Sequence, residues 1–303
     1  VISKKLVDRY AHHSGVKDQL VAEREVVLTY ALGLLRQAGA LEFLAFKGGT
    51  CLRKIIFGST GRFSEDLDFT LRTDDDQEAL TALYAAFNSE HHGIRFSLDD
   101  DWYETEDGFG MEVRYQHPWN SSGKFRLQVS AREKPTLAVL ERQMVEQVYF
   151  KDLEFEPFTV PTLEPIEMTA EKVRAAFQRT KVRDLYDLYL LAKPSLQGEV
   201  LRGLVVVKLW QVGDAFDATG FFDKVHRADH DWADLRRLVR SADRVEPAAV
   251  IDAIDHHFRA LRDMTELELK LIGDAKKGAH NLALAEHLRE EVRRRSASSI
   301  QGR

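Results

Sequence analysis

The chain has 303 residues, 44% of them hydrophobic and 30% charged, with a formal net charge of -6; that is enough for two ordinary domains or one large one, in a globular balance. The acidic charge lends no support to a protein that coats nucleic acid non-specifically, although a local basic groove on an acidic body stays open. The single cysteine, Cys51, excludes an intrachain disulfide and cysteine-rich zinc sites, and no apolar run is long enough to span a bilayer.

Residues 1–5 have no signal-peptide layout, so a cytoplasmic location with no membrane partner is expected. Residues 17–37 place Leu20, Val21, Val27, Leu28, Ala31, Leu34 and Leu35 on one broad face, and Gly39 closes this predicted helix. An apolar run at 41–46 predicts a strand, which ends in the turn Lys47-Gly48-Gly49-Thr50 and passes into a short helix over 50–57. Residues 64–72 alternate, with Leu67, Phe69 and Leu71 on one side and Asp66, Asp68 and Thr70 on the other, the period of a strand with one polar face. A helix over 77–89 and strands over 94–98, 110–115 and 124–132 follow, separated by turn chemistry at 99–101 and 120–123. Pro157, Pro161 and Pro165 mark a connector with little regular structure. Beyond it the pattern is helical: 166–177, 182–192, 198–212, 230–240, 247–272 and 282–295. The expected architecture is α/β (α+β in detail), with a mixed catalytic domain over 1–160 and a helical domain over 161–303.

The densest chemistry lies in Lys47-Gly48-Gly49-Thr50 and Arg62-Phe63-Ser64-Glu65-Asp66-Leu67-Asp68-Phe69. Two glycines let the backbone approach a ligand and expose its N–H groups. A following helix N-terminus favours phosphate. Asp66 and Asp68, two apart on a strand, point the same way. Two converging carboxylates are costly without a cation, and a divalent ion such as Mg²⁺ that bridges to substrate phosphates removes that cost. The bland alternative is a Gly-Gly turn followed by a solvated strand face.

Taken in this order, the residues resemble the nucleotidyltransferase signature. The longer form, Lys47, Gly48, Gly49, Thr50, Leu52 and Lys54 followed by Arg62, Phe63, Ser64, Asp66, Leu67, Asp68 and Phe69, closely resembles the AbiEii family of nucleotidyltransferase toxins, which includes the mycobacterial MenT-type toxins. A downstream pair, Glu171-Lys172, and then Arg183-Asp184-Leu185-Tyr186-Asp187-Leu188, is similar to that family's later motif. The resemblance implies a nucleotidyltransferase fold and a metal-dependent transfer of a nucleoside monophosphate from a nucleoside triphosphate. Asp66 and Asp68 would hold Mg²⁺ (or Mn²⁺). Lys47, Gly48, Gly49, Thr50, Arg62, Ser64 and Lys172 would bind the nucleotide. Asp66, Asp68, Lys172 and Asp187 would be the catalytic set, Lys172 acting as a point cation on the triphosphate. The alternative for Asp187 is an i,i+4 surface pair with Arg183; Asp184 and Arg179 are open between capping and pairing. The resemblance further implies a cognate antitoxin as partner and, in some relatives, the 3′ end of tRNA as acceptor. It also raises phosphorylation of Ser64, which would place negative charge beside the carboxylates and block the triphosphate.

One departure stands out. Such enzymes usually carry a third carboxylate on a later strand, and the corresponding position here is Gln128. Glu112 and Glu133 are possible substitutes; otherwise deprotonation of the acceptor relies on the metal and Asp187. This motivates two rival readings: transfer to a protein or small molecule, and a non-catalytic nucleotide-binding module. Trp102, Tyr103, Trp119 and Trp210 could stack bases, or anchor core and loops. Lys181, Arg183, Arg236, Arg237, Arg240 and Arg293 to Arg295 could line an RNA groove, or form a solvated face. The histidine pairs 12–13, 91–92 and 256–257 diverge on any regular element and do not read as zinc ligands.

Overall fold

The computed structural model describes every residue except 75, 99–102, 106–107, 154, 193–195, 228 and 302–303, with side chains described up to 298. The turn expected at 99–101 and Trp102 therefore lie outside the described residues. The chain forms two compact units. The first comprises Val1–Pro135, Val139–Leu163 and Arg236–Asp243; the second comprises Thr136–Ala138, Glu164–Leu235 and Arg244–Arg303. The fold is mixed α/β, as the sequence implied.

The first unit begins with two helices, α1 (Lys4–Ser14) and α2 (Gln19–Gln37). The first was not read from the sequence; Ser3 caps it and Gly15 closes it with φ +67. Strand β1 (Leu44–Lys47) leads into α3 (Gly48–Cys51), which continues as a π-turn over Leu52–Phe57. The expected short helix is thus present, but underwound into a wider form that often marks functional sites. Then come β2 (Leu67–Leu71), α4 (Asp76–Phe87), β3 (Glu90–His91), β4 (Ile94–Leu98), β5 (Tyr103–Thr105), β6 (Gly108–His117), β7 (Asn120–Ser130), β8 (Leu140–Gln143), α5 (Phe150–Leu153) and β9 (Thr159–Thr162).

These strands form one mixed sheet in the order β3-β4-β6-β7-β2-β1-β9-β8, with β5 added to β6. Period-two alternation sets its two faces. Phe125, Leu127 and Val129 of β7 and Leu67, Phe69 and Leu71 of β2 are buried, whereas Lys124, Arg126 and Gln128 are exposed. β1 and β2 run antiparallel with Lys47 opposite Asp68, and β2 and β7 run parallel with Asp68 opposite Gln128. The connector expected at 157–165 is corrected: it contains β9, parallel to β1. Pairing centres on Thr162 and draws on the Leu163 N–H, which donates to Phe46 O at 3.2 Å, so the N–H that Pro161 lacks is not needed.

The second unit is helical: α6 (Pro165–Gln178), α7 (Val182–Leu191), α8 (Gly198–Trp210), α9 (Ala218–Val225), α10 (Trp232–Arg236), α11 (Pro247–His257), α12 (Glu266–Lys277) and α13 (Leu282–Gln301). Its core gathers around α8, whose Leu204, Val205, Val207 and Leu209 are fully buried. The single helix expected over 247–272 is two helices. Thr265 starts the second with a capping box: its hydroxyl accepts from Glu268 N, and the Glu268 carboxylate accepts from Thr265 N at 2.7 Å. The helix expected over 230–240 stops at Arg236. Residues after it join the first unit, where Leu238 O accepts from Phe63 N at 2.7 Å and Ser241 N donates to Gly15 O at 2.8 Å. Among the described residues no helix is long and apolar enough to cross a membrane.

Candidate active site

The turn between β1 and α3 is shaped by its glycines. Gly48 has φ +77, a conformation that L side chains rarely adopt, and a Cβ there would lie 2.2 Å from Asp68 Oδ2. The Asp68 carboxylate therefore rests directly on the Gly48 backbone, which the pairing of Lys47 with Asp68 makes possible. Gly49 needs space rather than a special φ: a Cβ would meet Arg62 Nη2 at 2.5 Å and Ser64 Oγ at 2.9 Å. Thr50 is buried, and its hydroxyl donates to Asp66 O, tying the start of α3 to the residue that precedes β2. Lys47, Gly48, Gly49, Thr50, Arg62, Ser64, Asp66 and Asp68 thus come together in the first unit. One detail differs from the expected strand over 64–72. Strand β2 begins at Leu67, so Asp68 lies on the ladder while Asp66 and Ser64 lie in the loop before it.

The loop that carries Ser64 is braced from beneath. Arg53 is buried; its guanidinium donates to the carbonyls of Gly58 (3.3 Å) and Gly61, lies 3.9 Å over the Phe63 ring and donates to Tyr10 OH at 3.2 Å. Lys54 is fully buried, and its ammonium donates to Glu25 O (2.9 Å), Glu25 Oε1 (3.0 Å) and Thr29 Oγ1 (2.8 Å). Burial alone would raise the Glu25 pKa, but Lys54 and then Arg53 outweigh it and hold the carboxyl below its usual value. Burial pushes Lys54 down and the Cys51 thiol up, so Cys51 stays an inert core group. On the outer side Glu65 accepts from Arg24 Nη1 at 2.5 Å and Arg237 Nη2 at 3.1 Å. Glu25 and Glu65 escaped the reading of the sequence. Glu65 stands inside the motif, and the spacing of Glu25, four residues after Val21 and three before Leu28 on the apolar face of α2, was the available signal for it.

The donor chemistry fits a hard divalent cation. Asp66 and Asp68 offer carboxylate oxygens beside a backbone turn suited to phosphate, and Mg²⁺ commonly takes only one or two protein carboxylates, completing its shell with water and substrate phosphates. Among the described residues no group of three or more His, Cys, Asp or Glu side chains could form a complete metal cage. The register explains why: the strand partner of Asp68 on β7 is Gln128, an amide. Glu112 lies one strand further out, opposite Arg126, and accepts from Lys124 Nζ at 3.0 Å.

The second unit holds its own charged cluster. Lys172 of α6 sits 2.8 Å from Asp187 Oδ2 and 3.4 Å from Asp184 Oδ1, both on α7. Asp184 also accepts from Arg179 Nε at 2.8 Å and Nη2 at 3.1 Å. Asp187 is buried, so it is a partner of Lys172 rather than half of a surface pair. Glu171 turns instead towards Lys208 of α8, at 3.3 Å. Of the aromatic candidates, Trp210 is a core anchor whose Nε1 donates to Asp274 at 2.7 Å, and Trp119 packs 3.9 Å from the His117 ring.

A family model described as the nucleotidyl transferase AbiEii toxin of type IV toxin–antitoxin systems matches residues 32–299. The chain belongs to the AbiEii family. Among solved structures, this AbiEii protein is similar to MenT4, the nucleotidyltransferase toxin Rv2826c from Mycobacterium tuberculosis H37Rv, with 25% identity and a TM-score of 0.81 over 97% of this chain and 100% of that one. Two Helicobacter pylori structures, JHP933 and a putative nucleotidyltransferase, each share 18% identity. They cover 92% and 87% of this chain and 97% and 95% of theirs, with TM-scores of 0.43 and 0.40, and nothing rests on them. Among curated proteins none matches the sequence significantly. The family assignment gives the glycine turn and the two carboxylates their context: AbiEii proteins are nucleotidyltransferase toxins of toxin–antitoxin systems.

Proposed function

We propose that the protein transfers a nucleoside monophosphate from a nucleoside triphosphate to the 3′ end of tRNA, and that a cognate antitoxin restrains it. The observation that carries this reading is the seating of Asp68 on the Gly48 backbone, opposite Lys47, with Arg62 and Ser64 over Gly49. The triphosphate would lie on Gly48, Gly49 and Thr50, its charge met by Lys47 and Arg62. Asp66 and Asp68 would hold Mg²⁺ or Mn²⁺, which supplies charge neutralisation and lowers the pKa of a bound hydroxyl. Lys172, oriented by Asp187, is the proposed cation of the helical unit. The acceptor hydroxyl oxygen forms a bond to the α-phosphorus, the bond from that phosphorus to the α–β bridging oxygen breaks, pyrophosphate leaves and the hydroxyl proton passes to solvent. Gln128 cannot take that proton, so catalysis rests on positioning and charge stabilisation.

Labelled triphosphates incubated with total RNA and, separately, total protein test the reading. Label is expected on RNA with wild type and not with Asp66→Ala. Label on protein alone would move the acceptor class. Binding of triphosphate without transfer by either form would favour the non-catalytic alternative that Gln128 motivates. Expression without an antitoxin is expected to arrest growth, and Asp68→Ala to relieve the arrest.

A further inference from the structure

A row of paired residues crosses the sheet through the candidate site. Tyr103 of β5 pairs with Gly110 of β6, Gly110 with Gln128 of β7, Gln128 with Asp68 of β2, and Asp68 with Lys47 of β1. Gly110 has no unusual φ, so its backbone does not demand glycine. A Cβ there would nevertheless meet Tyr103 OH at 2.4 Å and Cζ at 2.5 Å. The tyrosine ring therefore lies across the sheet in the space that Gly110 vacates, and Gln128 Nε2 donates to its hydroxyl at 2.8 Å. Although pinned at both ends, Tyr103 remains 46% exposed. It presents an aromatic ring to solvent one strand beyond the residue beside Asp68.

From this geometry we propose that Tyr103 is a stacking platform for the terminal base of the acceptor nucleic acid, held in place by Gln128 and Gly110. The proposal rests on the nucleotidyltransferase reading and adds the acceptor's subsite to it. Sheet order assigns the platform to the acceptor. The glycine turn that would take the triphosphate follows β1, on one side of Asp68, whereas Gln128 and Tyr103 lie on the other. In-line displacement puts the leaving pyrophosphate and the attacking hydroxyl on opposite sides of the α-phosphorus. Charge on the same face is basic in balance, which suits a phosphodiester chain: Lys124 and Arg126 precede Gln128 at two-residue steps along β7, all three exposed, and Arg114 pairs with Lys124 from β6, against the single carboxylate of Glu112, which pairs with Arg126 and accepts from Lys124. Gln128 thus occupies the place of a third carboxylate with a neutral amide that orients the ring.

The test uses the full chain and a short single-stranded RNA ending in 2-aminopurine ribonucleotide, whose fluorescence falls on stacking. Wild type is expected to quench it. Tyr103→Phe, which keeps the ring and loses only the hydroxyl, should still quench. Tyr103→Leu should abolish quenching and weaken RNA binding roughly 5- to 150-fold, raising KM for RNA and leaving KM for the triphosphate unchanged. Gly110→Ala, which displaces the ring, should act in the same direction with an unaltered melting temperature. Equal quenching and equal RNA KM in Tyr103→Leu would overturn the platform while transfer by wild type left the broader reading intact. Quenching of 2-aminopurine riboside triphosphate, with none of the RNA, would overturn the acceptor assignment. Wild type that transfers nothing to any RNA would overturn the broader reading and this subsite with it.

Discussion

Gly48→Ala separates the site from the fold. Its Cβ would sit 2.2 Å from Asp68 Oδ2 and 2.9 Å from Asp68 Cβ and Cγ. An ordinary non-bonded contact is ~3.5 Å, so the carboxylate must retreat by roughly 1 Å. Displacement on that scale in a reacting constellation costs about 10²-fold in rate. The backbone contributes separately. Holding φ +77 with a side chain costs about 1–2 kcal/mol, a fall in melting temperature of roughly 2–8 °C for a unit of this size. The assay is initial-rate transfer of labelled nucleotide at 25 °C, alongside a thermal melt of the same preparation. A variant folded at the assay temperature yet reduced about 100-fold in kcat/KM is expected. Transfer within threefold of wild type would refute the placement of Asp68 on Gly48, as would a loss that merely follows the unfolded fraction.

The bracing cluster makes its own predictions. Lys54→Met leaves Glu25 buried with Arg53 at 3.4 Å and the Tyr149 hydroxyl, which donates to it at 3.2 Å, and should cost about 3–5 kcal/mol in a denaturant melt. The double variant Lys54→Met/Glu25→Leu should recover most of that loss; additive losses would contradict the coupling. Glu25 titrates below its usual value in the folded state, so its stabilisation is complete above the unfolded pKa and is lost as pH falls through the folded one. Stability measured from about pH 6 to about pH 3 should fall more steeply in wild type than in the double variant. Lys172→Met should lower kcat/KM by about 10²–10³-fold with a smaller change in melting temperature, checked by the same two measurements; a loss confined to stability would make Lys172 a packing residue.

The parts of the site that the sequence disclosed are local in the chain. Gly48 and Gly49 announce a turn, and Asp66 and Asp68 announce a polar strand face, within a stretch of about twenty residues. Neither reading needed to know which strands are neighbours. What stayed hidden depends on distant pairing. The meeting of Gln128 with Tyr103 follows from the register of β5, β6 and β7, which alternation in single strands does not specify. Glu25 stands in the charged run Glu23-Arg24-Glu25 of α2, and nothing local in the chain names its partner; its pairing with Lys54 arises only in the fold. Proline misled at 161, where the edge of a short parallel ladder tolerates it. Periodicity misled over 247–272, where apolar spacing runs on through a break that Thr265 and Glu268 mark by their own capping pattern. That signal was present in the sequence and outweighed by the longer period.

The central claim is that the carboxylate seated on the glycine turn serves nucleotidyl transfer. Incubating wild type and Asp68→Asn with each α-labelled triphosphate and a tRNA pool, then resolving the products on a denaturing gel, addresses it most directly. Label at the tRNA 3′ terminus from wild type and none from Asp68→Asn is the predicted result. Equal labelling by the two proteins, or no labelled tRNA from wild type with any triphosphate, would contradict it.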